Sequence, residues 1–431
     1  MSNRLIIFRC FFVTMPSCSL SEALEIRYVE DIDANPIEPC EIFLVGSFPG
    51  RSSPSGRLVL PRTLTLNCCN IDRAGVLRKI DELCHDVEEL DLAQNSLNDL
   101  NEIDNILQHM PNLSFLNLSY NDMKNAITEK LTERENLRSL VLNCTYIPWS
   151  IVCNFLDAMP NLQELHLSLN DYSYVDLPSN KQYKNLKQLY ICGNSLSSWN
   201  DVILIGKTFP NLESLIMANT QIPSIPEPST WENLFQRLQT INFNYMLLSD
   251  WKDIDRLNHF KKLEDIRLQG IPILDSLSEL ERRQHLIAYL PSVIRLNGSA
   301  ILQKEREDAE RAFIRYFLSE QERPKRFYEL EEIHGKLDPL VDVDLSPKKT
   351  AQVFVHFCEE QSTLTVNLQQ SVQELKATLS DKFGLRPAKM RLFYIDQDMK
   401  DVCGPDELRY NNRKLYSYQI RDGDEFLVDS K

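Results

Sequence analysis

A short apolar pattern recurs through the middle of the chain. The stretches LTLNCCNI, LDLAQNSL and LNLSYNDM, which begin at Leu64, Leu90 and Leu116, have apolar side chains at their first, third and eighth positions. Six further stretches of this kind begin at Leu140, Leu165, Leu189, Leu215, Ile241 and Ile266. Successive stretches start 24 to 26 residues apart. Because alternate side chains of a strand point to opposite faces, each stretch predicts a short strand with one buried face.

The shared template, L-x-L-x-x-N-x-L, is that of the leucine-rich repeat. In such arrays each repeat adds one strand, and the strands stack in parallel. An asparagine at the sixth position bonds backbone groups that the following turn leaves unpaired. The nine occupants of that position are Cys69, Asn95, Asn121, Thr145, Asn170, Asn194, Thr220, Met246 and Ile271. The pattern therefore predicts an α/β solenoid with a curved parallel sheet over residues 61–273.

The segments between the strands have apolar residues at helical spacing. NEIDNILQHMPNL, SIVCNFLDAMPNL and DVILIGKTFPNL end in Pro-Asn-Leu, which predicts helices on the convex side that stop before the proline. Trp149, Trp199 and Trp251 follow the template in three repeats, and we expect them to fill the core. The Gly-Lys-Thr run at Gly206 lacks the earlier glycine of a phosphate-binding loop, so it predicts no nucleotide site.

Outward strand positions supply the candidate functional residues, because a solenoid binds partners through its open face and loops. Large side chains there are the best candidates, since aromatic residues and arginine are enriched at protein interfaces. We expect a protein-binding surface on the concave face, formed by Phe115, His166, Tyr190, Ile216 and Arg267. The alternative is that single exposed apolar side chains are ordinary surface residues without a role.

Other signals divide the rest of the chain. Residues 1–60 are predicted to be a partly disordered N-terminal extension, with Met15 as an alternative start. Residues 274–318 are predicted to cap the array with helices, the first of which begins with a capping box of Ser278 and Glu281. Residues 319–350 contain prolines and mixed charge, which indicates a linker with one short helix, RFYELEEIHG.

Residues 351–431 have a different period. QVFVHF, TLTVNL, MRLFYID and DEFLV alternate as strands, and the helix between the second and third begins at Ser371 and ends at Gly384. This order predicts an α+β ubiquitin-like β-grasp domain. IRDGDEFLV is expected to form a last hairpin that turns at Asp422-Gly423. No terminal glycine pair precedes Lys431, so we expect a docking module and not a conjugated modifier.

Composition narrows the function classes. The net charge of −15 argues against nucleic acid as a partner. The 11 cysteines and 7 histidines form no metal-ligand pattern, so we expect reduced thiols and no metal or cofactor. Cys84-His85 has no acidic residue to orient it, so we expect no catalytic residue. The N-terminal stretch MSNRLIIFRCFFV is apolar but is interrupted by Arg9. It is shorter than the roughly 20 residues of a membrane-spanning helix, so no membrane association is predicted.

The order of these parts resembles the tubulin-folding cofactor E family. The resemblance rests on the repeat array, on LPSVIRLNGS followed by EREDAERAFIRYF, on GKLDPLVDVDL and on the ubiquitin-like domain. It covers roughly residues 60–431. The CAP-Gly domain with which cofactor E begins has no counterpart here, so the chain is similar to the branch of the family that lacks it.

This resemblance implies a non-enzymatic regulator that binds α-tubulin or the tubulin heterodimer. It further implies heterodimer disassembly, microtubule destabilisation and tubulin turnover, in a cytoplasmic and cytoskeleton-associated setting. Arg386, Lys389 and Arg391 are candidate contacts on the ubiquitin-like domain, which is also a candidate docking site for the proteasome or another chaperone. The alternatives are a ubiquitin–proteasome adaptor whose repeats hold a different client, and a structural scaffold unrelated to tubulin.

Overall fold

The computed structural model of the chain describes residues 17–29, 51–52, 58–126, 130–339, 348–400 and 403–430. The apolar N-terminal stretch, Met15, part of GKLDPLVDVDL and Lys431 lie outside the described residues. The backbone divides into two units, Met1–Pro339 and Leu340–Lys431. No helix among the described residues is long and apolar enough to cross a membrane.

The elements of the first unit are numbered in chain order. Its described strands are β1 (Cys18–Ser19), β2 (Arg51–Ser52), β3 (Leu58–Val59), β4 (Thr63–Thr65), β5 (Ile71–Arg73), β6 (Glu89–Asp91), β7 (Phe115–Asn117), β8 (Ser139–Val141), β9 (Glu164–His166), β10 (Gln188–Tyr190), β11 (Ser214–Ile216), β12 (Thr240–Asn242), β13 (Asp265–Arg267), β14 (Arg295–Leu296) and β15 (Ser299–Ala300). Its described α-helices are α1 (Leu20–Leu24), α2 (Leu77–Cys84), α3 (Leu100–Gln108), α4 (Trp149–Ala158), α5 (Trp199–Thr208), α6 (Trp251–Arg256), α7 (Glu279–Tyr289), α8 (Gln303–Phe317) and α9 (Lys325–His334). A π-helix at Glu25–Val29 follows α1, and short 3-10 helices lie at Pro228–Thr230, Leu257–His259 and Pro272–Leu274.

The repeat templates form one long sheet in the order β15-β14-β13-β12-β11-β10-β9-β8-β7-β6-β4. Neighbouring strands from β4 to β14 run parallel, and the template leucines pair in register, as Leu64 does with Leu90 and Leu165 with Leu189. These leucines are buried, so the residues on either side of them point outward. The leucine-rich-repeat solenoid predicted from the pattern is confirmed.

Asparagines at the sixth template position join successive repeats. The Asn95 carboxamide accepts hydrogen bonds from the backbone N–H groups of Cys69 and Ile71, both at 3.0 Å, and donates to the carbonyls of Leu66 and Leu92, both at 2.9 Å. Buried backbone groups that stay unpaired are costly, and one side chain satisfies four of them. Asn194 makes the same four contacts, and Asn121 and Asn170 each make three backbone contacts of this kind.

A second set of asparagines, in the Pro-Asn-Leu and related turns, lies before the strands. The side chains of Asn161, Asn185 and Asn211 each donate to a backbone carbonyl of the preceding repeat, at 2.8 to 3.0 Å. Asn112 and Asn136 do the same at 2.9 and 2.8 Å. Both ends of β7, β9 and β10 are therefore fixed to the neighbouring repeats by side-chain amides.

The connections between strands are helical in some repeats and irregular in others. Helices α3, α4 and α5 lie where the apolar spacing predicts them. The fully described connection from β9 to β10 has no helix, and the one from β11 to β12 has only a single 3-10 turn at Pro228–Thr230. Proline removes a backbone donor from a helix, and these connections contain Pro178, Pro223 and Pro226. The helical layer is less regular than predicted.

Part of the predicted N-terminal extension is a folded cap on the first repeat. Strand β1 pairs with β5, and the Ser19 hydroxyl and the Glu22 carboxylate form a capping box at α1. Leu20 and Leu24 are fully buried in the core of the first unit. The cap covers an edge that would otherwise expose the apolar interior of the array.

The other end of the array is covered by α7, α8 and α9. Strands β14 and β15 form a hairpin that turns at Asn297-Gly298. Helix α9 lies within the range predicted to be a linker, yet its Phe327 and Leu330 are fully buried in the same core. Arg326 donates to the carbonyl of Ala288 at 2.8 Å. Because of these contacts, the first unit extends past residue 318 to Pro339.

His285 of α7 makes the stability of this cap depend on pH. Its ring lies against Trp251, Phe313 and Tyr316, and burial lowers the pKa of the imidazole below its ordinary value of 6.5. The folded state therefore binds the proton less tightly than the unfolded state does. The neutral, buried imidazole therefore contributes to the stability of the folded state above pH 6.5, and this contribution is lost as the pH falls below 6.5.

We expect the denaturation midpoint of the first unit to decrease between roughly pH 7.5 and 5.5, around the range where histidine titrates. The H285F variant, which keeps an aromatic ring at this position but cannot titrate, should show a smaller decrease of the midpoint over this pH range. Tryptophan fluorescence measures it, because all four tryptophans lie in the first unit. The H259F variant is the control, since the side chain of His259 is 47% exposed. Equal slopes for wild type and H285F would contradict this assignment.

The second unit is the predicted β-grasp domain. Its described elements are β16 (Thr350–Phe357), β17 (Glu360–Asn367), α10 (Val372–Phe383), β18 (Met390–Ile395), β19 (Asp406–Glu407) and β20 (Glu425–Ser430). The sheet has the order β17-β16-β20-β18-β19, and α10 covers it with Val372, Leu375 and Leu379. The predicted helix bounds at Ser371 and Gly384 are confirmed, since Ser371 forms a capping box with Glu374 and Gly384 ends the helix in the left-handed conformation. Strand β19, of only two residues, has no periodic signal in the sequence.

The predicted last hairpin is wrong in its first arm. Ile420 and Arg421 are not in a strand, because the buried carboxylate of Asp424 accepts the Arg421 N–H at 2.7 Å. The same carboxylate accepts from the Tyr394 hydroxyl at 2.7 Å and from the Gln397 N–H at 3.1 Å. Residues 420–423 therefore form a turn organised by a side chain, and β20 pairs instead with β16 and β18.

Candidate protein-binding face

The open sheet face consists of the outward first and third residues of strands β4 and β6 to β13. Each strand contributes two such residues on either side of a buried template residue. Because strands in a sheet lie about 4.8 Å apart, side chains at equal positions of neighbouring strands touch. The register of the array therefore determines which of the predicted residues meet.

His166 and Tyr190 form the centre of this face. They are register partners on β9 and β10, and their rings stack with centroids 4.0 Å apart and planes 3° from parallel. The sequence places them 24 residues apart, and the array brings them into direct contact. Stacked rings form a rigid surface, and such surfaces lose little entropy when a partner binds.

Two polar residues orient these rings. His166 Nε2 lies 2.9 Å from a carboxylate oxygen of Glu164, and the Tyr190 hydroxyl donates to Gln188 at 2.9 Å. Burial and the nearby negative charge of Glu164 raise the pKa of the Tyr190 phenol, so it remains a neutral donor. Glu164 and Gln188 were not predicted to be site residues. Their positions could have indicated this contact, because each lies two residues before a ring and therefore on the same face of the strand.

The structure brings together three of the five predicted residues. Ile216 is the register partner of Tyr190 on β11, so it extends the stack into one half-buried apolar strip. Arg267 lies two strands beyond Ile216, with Asn242 between them, and is exposed. Phe115 lies two strands before His166 and at the first strand position, beside Glu89 and Ser139. Phe115 and Arg267 are separate from the strip.

The basic residues proposed for the second unit differ in availability. Arg386 and Lys389 are exposed at the turn before β18. The Arg391 guanidinium is already paired, since its Nε and Nη2 donate to the Glu407 carboxylate at 3.1 and 3.3 Å. The hydrogen bonds from Arg391, together with Arg409, lower the pKa of Glu407 to about 2. A partner that used Arg391 would have to compete with this ion pair.

Residues that suggested chemistry have structural roles. Gly206 lies in the last turn of α5, where a Cβ would come within 2.6 Å of the Phe235 ring, so helix packing explains the glycine of the Gly-Lys-Thr run. Burial raises the pKa of the Cys84 thiol to about 12, which leaves it protonated. Trp149 and Trp199 are buried and Trp251 is partly buried against the core, as predicted. Among the described residues no group of three or more histidine, cysteine, aspartate and glutamate side chains could hold a metal.

Comparison with known proteins covers both units. A family profile described as a ubiquitin-like domain matches residues 352–430. The chain is 41% identical over 392 residues to the tubulin-specific chaperone cofactor E-like protein of Homo sapiens, across 90% of this chain and 92% of that relative. It is 30% identical over 420 residues to the Caenorhabditis elegans protein of the same name, across 96% of this chain and 95% of that relative. The solution structure of the C-terminal ubiquitin-like domain of mouse tubulin-specific chaperone e is 18% identical and covers 20% of this chain and 94% of that chain, with a TM-score of 0.18.

Proposed function

The chain belongs to the family of tubulin-specific chaperone cofactor E-like proteins, and on this premise we propose that it is a non-enzymatic binder of tubulin. In this proposal it binds α-tubulin within the heterodimer, promotes heterodimer disassembly, and thereby destabilises microtubules and increases tubulin turnover. Its setting is the cytoplasm, in association with the cytoskeleton. The observation that carries the proposal is 41% identity over 90% of the chain to a relative whose name specifies tubulin.

The part of the open sheet face from β7 to β13 supports this proposal as the client-binding surface. The strip of His166, Tyr190 and Ile216 is contiguous, half-buried and rigid. Aromatic residues at the centre of a surface are the usual hot spots of protein interfaces. Phe115 and Arg267 flank the strip at a distance of two strands each, so we place them at the rim of the contact.

Disassembly in this account is driven by binding alone. A ligand shifts an equilibrium only by the difference in its affinity for the two states. Opening a dimer of nanomolar affinity requires about 12 kcal/mol, which one shallow face does not supply. We therefore propose that the ubiquitin-like domain contributes a second contact through Arg386 and Lys389, which raises the total binding energy because both units belong to one chain.

The experiment that tests the proposal is native gel filtration of purified chain mixed with purified tubulin, without added nucleotide. A complex that contains α-tubulin is the expected result. Failure of the wild-type chain to retain tubulin at micromolar concentration would overturn the proposed function.

A second candidate function rests on the ubiquitin-like domain, which matches its family profile over residues 352–430. In that case the chain is an adaptor, in which the domain binds the proteasome and the repeats hold a different client. Capture from cytosol distinguishes the two. Tubulin as the dominant bound protein favours the first proposal, and proteasome subunits with varied clients favour the adaptor.

A further inference from the structure

The turn after each strand has one backbone conformation throughout the array. The fifth template residue has a positive φ of 55° to 66° in all nine repeats. In the first eight repeats its N–H donates to a carbonyl of the next repeat, for example from Tyr120 to Asn143 at 2.9 Å and from Tyr245 to Gln269 at 2.7 Å. The stacking of repeats therefore imposes the left-handed conformation on whichever residue occupies this position.

Bulky residues occupy this position in three repeats. Glycine and asparagine adopt the left-handed region most readily, whereas large side chains are disfavoured there. Gly193, Asn219 and Gly270 follow this rule, with φ of 66°, 58° and 66°. Tyr120, Leu169 and Tyr245 do not, with φ of 60°, 59° and 59°. Burial does not explain these three, because they are 55%, 48% and 59% exposed.

A small residue in the next repeat makes room for each bulky one. A Cβ at Gly193 would come within 2.5 Å of the Leu169 side chain, and a Cβ at Gly270 within 2.3 Å of the Tyr245 ring. The Tyr120 side chain interacts with Cys144, the residue at the same position of the next repeat. The three bulky side chains are thus held in place across their neighbours while remaining open to solvent.

We define the turn ridge as the fifth and seventh template positions of the nine repeats. Among the described residues from 90 to 273, six large apolar side chains are exposed, and five of them lie on the ridge: Tyr120, Tyr146, Leu169, Tyr245 and Leu247. The remaining ridge positions are mostly Ser, Asn, Gln, Gly and Cys. Tyrosine among small polar residues is the composition of protein-binding loops, in which rigid aromatic side chains supply contact area.

The charges of the turn ridge indicate which kind of partner surface it can bind. Asp122 and Asp171 are the charged residues among its eighteen positions, and both are exposed. No lysine or arginine occupies a ridge position. Charged groups across an interface are arranged to be complementary, so the matching surface carries apolar side chains flanked by lysine or arginine.

We infer that the turn ridge is a second client-binding surface, which continues the open sheet face past the ends of the strands and contacts an apolar, basic-flanked patch of tubulin. This inference rests on the proposed function. It explains why three repeats have bulky residues in a disfavoured backbone conformation although their side chains are exposed. Strained positions of this kind concentrate at functional sites.

The test replaces the three bulky residues by the residue that the turn prefers. The full-length Y120N/L169N/Y245N variant should keep or raise the denaturation midpoint measured by tryptophan fluorescence, because asparagine tolerates a positive φ. Its affinity for purified tubulin, measured by isothermal titration, should fall at least about 30-fold, as expected for loss of a hot spot. Y174N removes a tyrosine that is 63% exposed but lies outside the ridge, so it should bind like wild type.

The outcomes separate the inference from the proposed function. Normal tubulin binding by the folded triple variant would contradict the inference that the turn ridge binds tubulin, but not the proposed function. Absence of tubulin binding by the wild-type chain would contradict both. If the triple variant lowers the midpoint, Y245N alone decides the question in the same titration, with a fall of about tenfold expected. The D122K/D171K variant should bind more weakly, and tighter binding by it would overturn the basic-flanked partner surface.

Discussion

Replacing Leu167 by alanine should lower the free energy of unfolding of the first unit by about 2–5 kcal/mol. Leu167 is the third template residue of its repeat and is fully buried. Its backbone N–H donates to the Tyr190 carbonyl at 2.7 Å, so the site is held between two repeats and cannot collapse freely around a cavity. The loss combines the transfer of apolar atoms to water with the cavity that remains.

Chemical denaturation followed by tryptophan fluorescence measures this loss, because Trp149, Trp199, Trp231 and Trp251 all lie in the first unit. Leu169 provides a matched control two residues further along, since it is 48% exposed. L169A should change stability by less than about 1 kcal/mol, as surface substitutions usually do. Similar losses for both variants would mean that the assignment of buried and outward positions is wrong.

The H166A/Y190A variant should weaken tubulin binding by roughly 2–4 kcal/mol, the range of a hot spot. The two rings stack on each other and are oriented by Glu164 and Gln188, outside the buried core. Removing both rings should therefore leave the fluorescence midpoint close to that of wild type. Isothermal titration with purified tubulin measures the affinity.

T65A is the control, because Thr65 occupies the same third strand position on β4, far along the sheet from the strip. It should bind tubulin like wild type. Unchanged affinity of H166A/Y190A would place the client contact on the turn ridge or the ubiquitin-like domain. A lowered midpoint would instead show that the ring stack has a structural role.

Periodic features were predictable from the sequence because repetition identifies them. The alternation of Leu64 with Leu66 and its return 26 residues later predicted both the strands and their parallel order. The capping box of Ser371 and Glu374 similarly located α10. In each case a local pattern agrees with the tertiary packing, so the local signal is sufficient.

Features formed by single side chains were not predictable in this way. In the cap at residues 17–29, the Ser19–Glu22 signal that begins α1 is brief. The turn at residues 420–423 depends on the buried Asp424. The contact of His166 with Tyr190 requires the register between repeats. The turn ridge depends on a left-handed conformation that stacking imposes on Tyr120, Leu169 and Tyr245 alike, and propensity alone does not indicate it.

In the proposed mechanism, this chain opens the tubulin heterodimer by binding energy alone. The most direct measurement mixes purified tubulin with a several-fold excess of purified chain, without ATP or a partner chaperone, and separates the products by native mass spectrometry. We expect a complex of the chain with α-tubulin and loss of intact heterodimer, and we expect R386E/K389E, which reverses two exposed charges of the ubiquitin-like domain, to leave more heterodimer intact. Intact heterodimer at every excess of wild-type chain would contradict autonomous opening.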